Sequence, residues 1–128
     1  MNAARRAMQQ LQTWPDLTPA PARCGRGLAL RTDLCEIVHF HDERSADLHL
    51  TALTIGHLAA ELGRSTAIRV LPASPWVTVR LDCVTDADVL LSLTSVALQA
   101  HSTTSYTGSA PQPPCNLNRV TIGKGQGD

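Results

Sequence analysis

With 128 residues, 43% of them apolar and 17% charged, the chain has material for one hydrophobic core and not for two. Eleven basic and eleven acidic side chains cancel, which argues against nucleic acid as a partner, because phosphate neutralisation supplies most of that affinity. No apolar run reaches the roughly 18 residues of a membrane span, and Arg5 and Arg6 are not followed by the apolar stretch of an export signal.

A cytoplasmic protein with reduced thiols is the expectation that follows. Cys24, Cys35, Cys83 and Cys115 form no CxxC pair and keep no regular spacing, so neither a zinc ribbon nor a redox motif is supported. A Cys24–Cys35 bridge is the alternative for an exported chain.

Residues 2 to about 13 read as a helix: Ala3, Ala4, Ala7, Met8 and Leu11 make its apolar stripe, Asn2 can cap it and Pro15 ends it. Residues 15–27, with three prolines and two glycines, read as an irregular connection, and 27–32 as a short first strand. The segment EIVHFHDERSADLHLT, from Glu36 to Thr51, reads as two strands joined by the polar turn Asp42-Glu43-Arg44. Thr51 then caps a helix that runs to about Leu62 and stops at Gly63, burying Ile55, Leu58, Ala59 and Leu62. Residues 67–71 and 76–83 follow as strands, the second with Val77, Val79 and Leu81 alternating against Trp76, Thr78, Arg80 and Asp82. Thr85 and Asp88 resemble a capping box. The helix after them reaches about His101, with Val89, Leu90, Leu93, Val96, Ala97 and Ala100 inward; His101 suits its C-terminal dipole. The remainder is rich in Ser, Thr, Gly and Pro.

This order, α-β-β-β-α-β-β-α, predicts an α+β fold: a small antiparallel sheet with helices packed on one face. One domain covers 1–101 and a disordered tail 102–128. A sheet packed on one side leaves the other open to water, a ligand or a partner.

The hairpin carries three of the five histidines. Side chains alternate along a strand, so Val38, Phe40, Leu48 and Leu50 share the core face while His39, His41, Asp47, His49 and Thr51 share the other. A turn centred on Arg44 sets His39 across from His49, with His41 on the diagonal. Arg80 has the phase of the same face. His57 falls on the solvated side of its helix.

These residues resemble luciferase-type domains, the family that includes the fungal luciferases acting on hydroxylated hispidin. The likeness lies in EIVHFHD followed by LHL, covers Glu36 to Leu50 closely and extends more loosely to Ala100. It implies His39, His41, His49 and Arg80 as the matching polar residues and candidate catalytic groups. Fungal members have a Gly-Trp-Gly and a His-Pro between helix and strand; here Gly63 to Pro75 has no histidine, and Leu71 precedes Pro72.

Two chemistries suit such a face. In one, a histidine takes a proton from an enol or phenol and Arg80 steadies the oxyanion, which then meets oxygen as the resemblance implies. In the other, His39, His41 and His49 hold a divalent metal. The plainer alternative is a cross-strand imidazole pair with no function, and no cofactor is expected. The expected function is therefore a luciferase-like domain that acts on or binds a small aromatic or enolic molecule. The alternative is a non-catalytic module for a ligand, a protein partner or a second copy.

Overall fold

The computed structural model describes residues 2–102 together with Cys115 and Asn116. Six strands make one antiparallel sheet: β1 (Thr18–Pro21), β2 (Leu28–Arg31), β3 (Glu36–Phe40), β4 (Ser45–His49), β5 (Ile68–Val70) and β6 (Trp76–Arg80). Their order across the sheet is β1-β2-β3-β4-β6-β5. The described helices are α1 (Ala3–Leu11), α2 (Ala52–His57), α3 (Ala59–Arg64) and α4 (Val84–Ser102). None is long and apolar enough to cross a membrane.

The fold class is the expected α+β, with two additions. Part of the segment expected to be irregular, 15–27, forms β1. Its Pro19 and Pro21 offer no backbone donors, and they sit on the outermost strand, where a missing donor costs least. The helix expected from Thr51 to Leu62 is broken at Leu58, whose backbone leaves the helical range (φ −102°, ψ 13°) and divides it into α2 and α3.

On the core face Leu30, Val38, Phe40, Leu48, Val77 and Val79 pack against α1 and α4, which supply Ala7, Leu11, Leu90 and Ala97. Fully burying an aliphatic or aromatic side chain is worth about 1.5–3 kcal/mol, so this layer drives folding. α1 starts where the Asn2 side chain accepts the Arg5 N–H at 2.7 Å. The start of α4 is held by Asp86, which accepts the N–H groups of Asp82 and Cys83, and not by the expected Thr85–Asp88 pair. Its inward stripe is Ala87, Leu90, Thr94, Ala97 and His101, a rotation that leaves Val96 exposed. Thr94 sits there because its hydroxyl donates to the Leu90 carbonyl at 2.6 Å.

The β3–β4 register differs from the expectation by two residues. Asp42 Oδ1 accepts from the backbone of both Arg44 and Ser45, which tightens the turn and sets His39 opposite Asp47 and Val38 opposite Leu48. His39 is therefore not opposite His49. A slip of two leaves each side chain on its expected face.

That second face is not open. Residues 22–27, between β1 and β2, fold back across it, and Gly27 makes this fit: its φ is +85°, and a Cβ there would run into the Phe40 carbonyl oxygen. Cys115 and Asn116 cover the face from the other direction. Both are buried, so the expected disorder of 102–128 does not hold for these two; the rest of that tail after Ser102 lies outside the described residues.

Candidate functional site

The histidine face is as dry as the core: His39 is 2% exposed, His49 5%, Asp47 2% and Trp76 1%. Burying polar groups is costly unless each finds a partner, and here the partners form a chain. His39 Nε2 donates to Glu36 Oε1 at 2.6 Å, and Glu36 Oε2 accepts the Arg23 N–H at 3.0 Å. Sequence alternation assigns Glu36 and His39 to opposite faces. A bulge where Arg31 pairs with Glu36 shifts the phase and lets the two meet.

His41 Nδ1 lies 3.7 Å from Asp47 Oδ2, and Thr78 donates to the other Asp47 oxygen at 2.7 Å. Asn116 is held against β6 by donating to the Trp76 carbonyl at 3.0 Å and to the Thr78 hydroxyl at 3.1 Å. It also accepts from Ser74.

With Nε2 of His39 directed at Glu36 and Nδ1 of His41 toward Asp47, the remaining nitrogens face two thiols. Cys24 Sγ is 3.8 Å from His39 Nδ1 and 3.3 Å from His41 Nε2. Cys115 Sγ is 3.5 Å from His41 Nε2. The four ligand atoms lie within 4.8 Å of one another. None of the four cysteines is in a disulfide.

Three imidazoles are held in the neutral form. Burial lowers the His41 pKa against the opposing pull of Asp47. Burial and then His101 lower that of His49 to about 3. Burial likewise lowers that of His101.

His39, His41 and His49 do share one face, joined through Trp76, whose ring centroid is 4.7 Å from both His39 and His49. They do not form one three-histidine cluster: His39 and His41 turn toward Cys24 and Cys115, and His49 groups with Cys35 and His101. Arg80 stands apart from them. Its register partner is Ser45, at the far end of β4 from His49, and its half-exposed guanidinium pairs with Asp82 at 2.8 Å. Sequence reasoning set Asp47 on this face without a site role, and missed Glu36, Cys24 and Cys115. The carboxylates carried a signal, each two or three residues from a histidine or across the turn from one. The thiols carried none, since the chain separates Cys24 from Cys115 by nearly the whole domain.

Comparison with known proteins gives one match. The family model described as the luciferase domain aligns with residues 34–97, half of the chain, which contains β3 through most of α4. No curated protein and no solved structure matches the chain.

Proposed function

The chain belongs to the luciferase domain family, and we propose that it is a metal-binding member, holding one zinc ion between Cys24, His39, His41 and Cys115. The observation that carries this reading is the convergence of two thiols and two imidazole nitrogens whose rings are oriented by carboxylates. Zinc sits about 2.3 Å from sulfur and 2.0–2.1 Å from nitrogen, so a tetrahedron about it has S–N edges of about 3.5 Å. The three thiol–imidazole separations of 3.3, 3.5 and 3.8 Å bracket that value. Ligating histidines characteristically give their second nitrogen to a carboxylate, as His39 does to Glu36.

Charge favours the same reading. Two thiolates neutralise a divalent ion, so the filled centre adds no net charge to a buried face. An imidazole held neutral, as His41 is, has no proton to lose before it binds. Four protein ligands close the coordination sphere, the arrangement of structural zinc. The ion would then join the β1–β2 loop, β3 and the C-terminal segment.

The other chemistry, proton removal from a small aromatic or enolic molecule, draws its support from family membership. It needs an accessible imidazole beside a cation, and the buried histidines with Arg80 turned to Asp82 favour it less.

The test is metal content. The chain purified without added chelator should contain zinc, and cobalt(II) substitution should give a thiolate-to-cobalt charge-transfer band that loses intensity in Cys24→Ser and in Cys115→Ser. A folded protein that binds neither ion would overturn the proposal.

A further inference from the structure

On the far side of Trp76 lies a second cluster that the first centre does not use. Cys35 precedes β3, His49 ends β4 and His101 lies in the last turn of α4, so three separate elements bring them together. All three are buried and their ligand atoms lie within 4.8 Å of one another.

Both imidazoles are held by the backbone. His101 Nε2 donates to the His49 carbonyl at 2.9 Å, which fixes the tautomer and turns the Nδ1 lone pair toward Cys35 Sγ, 3.5 Å away. The His49 ring is hydrogen-bonded to the Glu36 backbone and stacked on Trp76, with planes 13° apart. Backbone partners of this kind orient metal-binding histidines as carboxylates do. The Cys35–His101 separation again equals a tetrahedral S–N edge of about 3.5 Å.

The surroundings differ from those of the first cluster. His101 also lines a cleft of about 380 Å³, with Thr32, Asp33 and Leu34 just ahead of Cys35 on one wall and Asp16 among the others. That volume suits a small molecule. One thiolate and two neutral imidazoles leave a divalent ion with a net positive charge, and Asp16 and Asp33 at the cleft oppose it.

We propose that Cys35, His49 and His101 form a second zinc site, with three protein ligands and a fourth position open to this cleft for water or a small oxygen-donor ligand. Three protein ligands and one exchangeable position is the arrangement of catalytic zinc, in contrast to the closed set around Cys24 and Cys115.

Zinc titration of the full chain against a chromophoric chelator, with cobalt(II) spectra in parallel, tests this. The native chain should take up two equivalents, Cys24→Ser/Cys115→Ser one, and Cys35→Ala one. Added imidazole should change the cobalt spectrum only in proteins that retain Cys35. An ion that survives Cys24→Ser/Cys115→Ser but not Cys35→Ala supports this site even if the four-ligand centre fails. Uptake that is unchanged in both Cys35→Ala and His101→Gln overturns it, as does a native chain that binds nothing. Should those variants not fold, cadmium NMR of the native chain decides. Two resonances are expected, of which one survives Cys24→Ser/Cys115→Ser; a single resonance that this double variant abolishes rules the second site out.

Discussion

The sheet buries both of its faces, by opposite means. On one, Leu30, Val38, Phe40, Leu48, Val77 and Val79 meet two helices, α1 and α4, and contact area does the work. On the other, imidazoles, carboxylates and thiols meet a short loop and a two-residue patch of the C-terminal segment, Cys115 and Asn116. Those covers bring little apolar surface, so directional bonds must hold them. An apolar face tolerates small shifts of its cover, whereas a face built from ligand atoms is all but lost when one member leaves.

That contrast can be broken most forcefully from the apolar side. Leu48→Ala should cost about 2–5 kcal/mol in denaturant unfolding, the range for a fully buried leucine. A cost under 1 kcal/mol would mean that the helices do not define the core. Next comes the metal. At zinc a hundredfold above its dissociation constant, binding adds about 2.7 kcal/mol, so a chelator should lower the Tm of the native chain, and Cys115→Ser should shrink that response to the part that the Cys35 site supplies. Glu36→Gln keeps the shape of the side chain and loses the carboxylate charge that holds His39. Zinc affinity in a competition assay should fall about 10–100-fold.

The pH response sharpens the comparison further, because the polar face buries imidazoles whose pKa is lowered. His49 has a pKa of about 3 when folded against 6.5 ordinarily. Between those values the unfolded chain binds more protons, so stability is complete above about pH 6.5 and declines as pH falls toward 3. The slope from this one residue is at most about 1.4 kcal/mol per pH unit. His49→Gln, compared with the native chain in chelator across pH 4 to 7, should flatten the curve; an unchanged slope would place the titration elsewhere. The smallest effect belongs to Arg80→Met. Its ion pair with Asp82 is half exposed, so stability should move by about 0.5 kcal/mol or less. Zinc uptake should not change, and a loss would extend the centre along β6.

Periodicity made much of this legible. Alternation in EIVHF and ADLH separated the apolar set from the imidazole set correctly, and a register error of two could not undo it. The error arose because Asp42 folds the turn through its own side chain, a device that counting residues between strands does not detect. Burial of the polar face was illegible for another reason. Its covers come from the β1–β2 loop and from Cys115, and neither has a pattern in the sequence that says which surface it will meet. Cysteine spacing misled for the same reason, since a linear motif detects ligands delivered by one short segment. Cys24 and Cys115 are brought together only by the finished sheet.

Cys115 also imposes an order in time. Cys24, His39 and His41 leave the ribosome well before it, and the sheet between them needs β6 before its polar side is complete. The fourth ligand is the last to be made, and the loop it closes spans most of the domain, which makes its entropic closure late as well. A nascent chain stalled before Cys115 would present two imidazoles and one thiol, an unfinished chelate able to take up an ion loosely and exchange it. Completion of the ligand set and firm capture of the metal would then be one event, and the ion would be locked in only when synthesis had passed that residue.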